Sequence, residues 1–403
     1  VAHITVDTHQ QNSALDQAIH HVYPETLLSG AGKLSRDEFL NAVNLLGASV
    51  STGISEGRLT ITLRSTSEVF PKLLQLVKTV LTAPTFASAE LKRIKTTVRN
   101  ELHIKQEQSS VIAREQLRNS FYEPSDRRYT APDEDIVTAL SEVDAKSLRT
   151  YHQKVLSSLW TCSIAAEGSS IAQFTKLIKV VKQATAPMIE TGSHSQHVPK
   201  QQFLSKQIPS KSNIDFSLGV PLPITIHHPD YVPVTFALGV LGIPGFAGRL
   251  MSTVRDAEGL TYSIYGYTES FSGIEQGYIR ILTFFTPEKT LQGLTSTFRE
   301  IKKFFRGGIS QAEFETFQTI FKTKQTLLQD SLLKQLADLH SFNLNGFTIE
   351  EMRQFKARLS TITRTQVNTV IKKYFDPKLF TVSAAGPVST VQKDIQSFLK
   401  NVT

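Results

Sequence analysis

Three stretches of the chain occur twice, in the same order and about 220 residues apart. LTITL (59–63), Ser67-Glu68 and PKLLQLVKTVL (71–81) return as IRILTFF (279–285), Pro287-Glu288 and LQGLTSTFREIKKFF (291–305). PTFASAELKRIKTTVRNEL (84–102) returns as GGISQAEFETFQTIFKTK (307–324), each a small or polar cap before acid and apolar residues at helical spacing. LSEVDAKSLRTYHQKVLSSLWTCSIAAEG (140–168) returns as LSTITRTQVNTVIKKYFDPKLFTVSAAG (359–386), an amphipathic helix and then a strand ending in Gly168 or Gly386. One pair can be coincidence. Three pairs in register predict a duplicated domain, and the period is far too long for a solenoid.

Each copy reads as strands, then two or three long helices, then a further helix and a closing strand. That order predicts an α+β class: two duplicated α+β sandwich domains, each a mostly antiparallel sheet with helices on one face. A length of 403 residues suits two cores of roughly 200 residues each. Between the copies, residues 191–214 lack an acid and are rich in Ser, Gln, Lys and Pro, a linker composition. The predicted organisation is a first domain over 1–190, a linker over 191–214 and a second domain over 215–403.

Composition removes several function classes. The longest uncharged apolar stretch, 231–246, is interrupted by Pro233, Gly239, Gly242, Pro244 and Gly245, and is shorter than the ~20 residues of a bilayer helix. No transmembrane segment is expected. Cys162 is the only cysteine, which excludes an internal disulfide and a Cys-rich zinc module. The net charge is +8, but Lys and Arg are scattered among 36 acids with no dense basic run, so nucleic acid is not an expected partner. The charge gives a mild preference for acidic peptides. The chain opens at Val1 with no charged segment before an apolar run, so any targeting segment is expected to be absent already.

Residues 241–267, LGIPGFAGRLMSTVRDAEGLTYSIYGY, place a Gly-rich turn before a helix that Gly259 stops, followed by a strand of alternating aromatics. Arg255 then falls near the helix end and Tyr262 early on the strand, where a short turn can aim both at one point. A guanidinium and a phenol together are good donors to a carbonyl or a developing oxyanion. On spacing alone, a solvated Arg beside a half-buried Tyr is the plainer reading.

The segment resembles the C-terminal-domain signature of the pitrilysin/insulinase-type zinc metallopeptidases, peptidase family M16. Arg249-Leu250, Arg255, Gly259-Leu260 and Tyr262 match it in order and spacing. The family also consists of two duplicated α+β domains joined by a linker, so the resemblance covers nearly the whole chain. It implies that Arg255 and Tyr262 contact the backbone of a peptide substrate. In the first copy the family carries His-x-x-Glu-His on a helix. The downstream part is present here as Gly30, Lys33-Leu34-Ser35, Glu38-Phe39 and Leu46-Gly47-Ala48-Ser49. Counting back places the motif on His21-Val22-Tyr23-Pro24-Glu25. His21 stands, but Pro24 replaces the general-base Glu and Glu25 replaces the second His; the distal Glu ligand falls on Glu101.

Two His ligands at i and i+4 share a helix face, and the Glu between them reaches a metal-bound water. Proline can exchange no proton, and inside a helix it costs ~3 kcal/mol. No metal is therefore expected on the degenerate positions His21, Glu25 and Glu101, although a His and two carboxylates are a known ligand set. His20, His152, His194, His197, His227, His228 and His340 are expected in surface or satisfied structural roles. By resemblance, the chain is a non-catalytic subunit of a heterodimeric zinc endopeptidase, inactive alone. Its homologous partner carries His-x-x-Glu-His and the zinc, and the peptide lies against the edge strand Ala48 to Thr52. The short GIPGFAG loop favours a bacterial-type subunit and a periplasmic location over the mitochondrial non-catalytic one. The family copy also begins one strand earlier than VAHITVD, so N-terminal residues are expected to be missing. Two alternatives stand beside this: a structural or assembly protein of the same fold, and a peptidase with a degenerate metal site.

Overall fold

The alternation at 59–63 is a strand in the computed structural model, which describes residues 1–8, 12–181, 202–242 and 247–401. The first copy runs β1 (Ala2–Asp7), α1 (Ala14–Leu27), β2 (Gly30–Ala31), β3 (Leu34–Ser35), α2 (Arg36–Leu45), β4 (Ser49–Ser55), β5 (Arg58–Arg64), α3 (Phe70–Thr82), α4 (Ser88–Lys105), α5 (Ser109–Asn119), α6 (Asp133–Ala139), α7 (Ala145–Ser157), β6 (Leu159–Ile164) and α8 (Gly168–Val181). The second begins with β7 (Phe203–Gln207) and continues through β8 (Ile214–Pro221), α9 (Tyr231–Gly242), a π-wound helix over Met251–Ala257, β9 (Ile264–Glu269) and β10 (Tyr278–Phe285). It closes with α10 (Thr290–Gly307), α11 (Gln311–Leu328), α12 (Leu332–Leu344), α13 (Ile349–Thr361), α14 (Arg364–Tyr374), β11 (Thr381–Gly386) and α15 (Gln392–Asn401).

The duplication holds at the level of topology. One sheet has the order β4-β5-β1-β6 and is antiparallel throughout. The other has the order β7-β11-β8-β10-β9, antiparallel except for β7 beside β11. Apart from β7, the two orders correspond strand for strand. The chain forms two compact units, but a single cut does not separate them. One gathers Val1–Ile104, Pro124–Thr191 and Leu328–Leu344; the other gathers Lys105–Glu123, Gly192–Leu327 and Asn345–Thr403. Helix α5 thus belongs to the second unit and α12, its counterpart in the repeat, to the first.

Strand alternation explains where these two helices go. Successive side chains of a strand point to opposite faces. On β1, Ala2, Ile4 and Val6 enter the first unit's core beside Leu59, Ile61 and Leu63, while His3 and Thr5 face the other way. There α12 lies against β1 and β6, and its His340 bonds the Thr5 hydroxyl through Nε2 (2.8 Å) and the Ser163 hydroxyl through Nδ1 (3.0 Å). On β8, Phe216, Leu218 and Val220 enter the second core, and Asp215, Ser217 and Gly219 face α5. Ser109 of α5 donates to Asp215 at 2.5 Å, and Arg114 pairs with Glu269 at 3.3 Å. Gly219 admits α5, since a Cβ there would stand 2.8 Å from Leu117 Cδ2. α9 is apolar and buried nearly all round, whereas α10 is amphipathic: Leu294, Phe298, Ile301 and Phe304 recur at helical spacing and are buried, worth ~1.5–3 kcal/mol each.

Part of the segment read as a linker is structural. Phe203–Gln207 is an edge strand, paired in parallel with β11 from Val382↔Phe203 to Gly386↔Gln207. Its polar residues suit an edge, where one side of the strand stays wet. Residues 182–201 of the 1–190 and 191–214 spans, with His194 and His197, lie outside the described residues. No helix among the described residues is long and apolar enough to cross a membrane.

The α12 anchor is titratable. Burial, and secondarily the His3 ring 5.6 Å away, lowers His340 to about 4 from the usual 6.5. The fold keeps this imidazole neutral, so stability is present above pH 6.5 and declines as pH falls toward 4, where only the unfolded chain takes up the proton. Thermal midpoints measured across that window should fall less steeply for His340→Gln than for the parent. Parallel curves would contradict the assignment.

Candidate substrate-binding turn and degenerate metal motif

The helix that carries Arg255 begins at Arg249, and its first charged residue is a clamp. Arg249 bonds Glu313 through Nε (2.5 Å) and Nη2 (2.7 Å), and the Gly308 carbonyl through Nη2 (2.8 Å). Glu313 also accepts from Ser310 N–H and Oγ–H at the start of α11. Burial alone would raise this carboxyl, but Arg249 and Ser310 outweigh it and hold it at about 2. Leu250, Met251 and Val254 are buried in the core beneath. The winding then loosens to π geometry, with Glu258 N–H reaching Thr253 O at 3.0 Å, an irregularity common at functional sites.

Gly259 ends the helix at φ +60°, the left-handed conformation that glycine adopts without strain. Its N–H bonds Arg255 O at 2.9 Å, and Leu260 tucks back into the core. Tyr262 lies in the bend before β9 rather than on the strand as expected. The cause is local: Thr261 Oγ accepts from Ser263 N–H at 3.3 Å and competes with strand pairing. The turn brings the two predicted residues together. The Arg255 guanidinium carbon stands 5.3 Å from the centre of the Tyr262 ring, and Arg255 donates to Asp256 at 2.7 Å. Tyr262 is 74% exposed, unusual for a tyrosine fixed in a turn. A phenol and a guanidinium presented side by side can donate to successive carbonyls of an extended peptide. The GIPGFAG loop ahead of this helix lies outside the described residues over 243–246.

The first unit has no comparable convergence. α1 forms as a helix despite Pro24 inside it, and Thr52 of β4 donates to the Pro24 carbonyl at 2.8 Å. Glu25 is taken by Arg93 of α4 at 2.6 Å, an ion pair with both side chains about two-fifths exposed. Such a pair contributes ~0.2–1 kcal/mol, and it occupies the carboxylate that a metal would need. Glu101 is exposed on α4, and His21 is exposed on α1. Among the described residues no three His, Cys, Asp or Glu side chains are grouped to hold a metal ion, so His21, Glu25 and Glu101 do not fit one.

Several other histidines are structural. His152 is buried, with Nε2 on Leu81 O (2.9 Å) and Nδ1 on the Tyr23 hydroxyl (2.7 Å). The carbonyl fixes the proton on Nε2, so Tyr23 donates to Nδ1. His227 bonds Asn345 O at 2.8 Å. His20 differs: its Nε2 is buried without a hydrogen-bond partner, and burial lowers it to about 4. Sequence reasoning missed Arg93, whose partner is 68 residues away, and Glu313, although Ser310-x-x-Glu313 has capping-box form.

A paired α+β repeat with a guanidinium–phenol turn in its second copy and Pro24-Glu25 at the metal-motif position of its first defines a peptidase-like fold. The chain belongs to the insulinase family of peptidases, M16. One family model, described as Insulinase (Peptidase family M16), matches residues 19–132, and another, described as the Peptidase M16 inactive domain, matches 142–321. Among solved structures, the chain is similar to a peptidase M16 inactive domain from Pseudomonas fluorescens, with a TM-score of 0.82 and 18% identity over 96% of this chain and 92% of that one. It is similar to a protease from Helicobacter pylori, with a TM-score of 0.80 and 13% identity over 96% and 93%. The periplasmic protease PqqL from Escherichia coli aligns with a TM-score of 0.75 and 14% identity, over 96% of this chain and 43% of PqqL. No curated protein matches the sequence.

The clamp sets a prediction. Arg249→Met should cost roughly 1–3 kcal/mol and lower the thermal midpoint by several degrees. Arg249→Lys should recover little, because an ammonium cannot bond both Glu313 oxygens and the Gly308 carbonyl in the same geometry. A lysine variant that melts with the parent would refute the bidentate role.

Proposed function

We propose that this chain is the non-catalytic subunit of a two-chain zinc endopeptidase, with Arg255 and Tyr262 orienting a peptide at the active site of a homologous partner that carries His-x-x-Glu-His. The observation that carries it is the packing of the half-buried Arg255 guanidinium beside the exposed Tyr262 ring, at family spacing, in a chain whose own motif holds Pro24 and an ion-paired Glu25. The zinc belongs to the partner, where it supplies the Lewis acid. This chain contributes binding only: the Arg255 guanidinium and the Tyr262 hydroxyl donate to main-chain carbonyls and hold the scissile region extended. β4 lies at the edge of its sheet and offers main-chain groups for strand addition. Recognition through backbone selects unfolded or flexible peptides over a side-chain motif. We place the complex in the periplasm, which the location of PqqL supports.

The test is to find a homologous subunit that carries His-x-x-Glu-His in the source genome and to reconstitute this chain with it. Arg255→Ala and Tyr262→Phe should leave assembly intact and lower kcat/KM about 10- to 100-fold, the loss expected for one charge-assisted or buried donor. Unchanged turnover in both variants, or the absence of any His-x-x-Glu-His partner, would favour a structural protein of the same fold.

A further inference from the structure

The residues between Arg255 and Tyr262 have little regular structure to hold them. Residues 259–263 belong to neither helix nor strand, and Gly259 turns the chain at φ +60°. Two charged side chains, one on α10 and one just before it, reach this turn. Lys289, at the head of α10, donates to the Gly259 carbonyl at 3.0 Å. Arg299 pairs through Nη2 with Glu258, the residue just before Gly259, and also donates to Ser296 Oγ at 3.0 Å. Glu300 accepts from Lys303 at 2.9 Å and lies 3.4 Å from Arg299 Nε, which keeps the guanidinium turned along the helix. α10 has its apolar face buried in the core.

We propose that Lys289 and Arg299 are positioning residues: they fix the Glu258–Gly259 peptide against α10 and so set the distance and facing of the Arg255–Tyr262 pair. This rests on the proposed substrate role of that pair. The magnitudes separate positioning from plain stabilisation. Side chains 44% and 26% exposed form a pair worth ~0.2–1 kcal/mol, too little to matter for the fold of a unit this size. The same energy applied to one turn shifts its local opening equilibrium about 1.4- to fivefold. Thr283 adds a third tie, donating to the Ser263 carbonyl at 3.1 Å from β10. The turn is thus held from α10 on one flank and β10 on the other, with the Tyr262 ring left in solvent.

The experiment is hydrogen–deuterium exchange of the full chain, read on peptides covering 255–263, for the parent, Arg299→Gln, Arg299→Lys and Lys289→Gln. Exchange there should quicken about 1.4- to fivefold in Arg299→Gln and Lys289→Gln, return toward the parent rate in Arg299→Lys, and stay unchanged in the rest of α10. An unchanged rate at 255–263 overturns the proposal, as does a uniform rise across the second unit. Turnover of the reconstituted complex separates the two levels: a loosened turn with full activity upholds the positioning and removes the substrate role of Arg255 and Tyr262. A loosened turn with raised KM and rescued by lysine upholds both.

Discussion

Each copy of the repeat depends on the two faces of its central strand. β1 and β8 send apolar residues into one core and short polar or small residues to the other face. A face of Thr, Ser, Asp and Gly cannot exclude water by itself, so each sheet takes one more helix on that side. The helices that fill the places are equivalents in the repeat, α5 on the second sheet and α12 on the first. Their anchors differ in kind. α5 is held by Ser109–Asp215 and by the charged Arg114–Glu269 pair, and α12 by a neutral histidine between two hydroxyls. Both anchors contain titrating groups: burial lowers His340 to about 4 in one, and burial raises the Asp215 carboxyl against its Ser109 hydrogen bond in the other.

The site shows a similar division of labour among residues of one motif. Arg249, Leu250 and Leu260 support the backbone, by a two-point carboxylate clamp and by burial. Tyr262 is left to face solvent, with the half-buried Arg255 beside its ring and paired to Asp256. In the first copy, the position that would hold the second metal ligand is held by an ion pair with Arg93 instead. A guanidinium on a neighbouring helix neutralises Glu25 and ties α1 to α4, the two elements on which the three degenerate positions lie.

Much of this was legible in the residues. Strand alternation at 59–63 and 279–285 and the long amphipathic helices lie where their periodicity put them, as β5, β10, α3 and α10. A glycine stop between a helix and an aromatic run put Arg255 and Tyr262 within reach of one turn, but their pairing as a site came from the family resemblance and not from spacing. Other features had no local signal. The amphipathic pattern of α5 states that one face is buried, not which sheet covers it. β7 has the composition of a linker because it lies at an edge and pairs on one side only. The Lys289 and Arg299 contacts join residues 30 and 41 positions from their partners, and nothing in a helix surface rich in Lys, Arg and Glu marks which charge is used.

The most direct measurement of the central claim is the zinc content of the purified chain alone after metal loading and dialysis. The account predicts well under one zinc per chain, because Glu25 stands where the second His would be and His21, Glu25 and Glu101 are not grouped to hold an ion. One tightly held zinc per chain, lost on His21→Ala or Glu101→Ala, would contradict it and favour the alternative of a peptidase with a degenerate metal site.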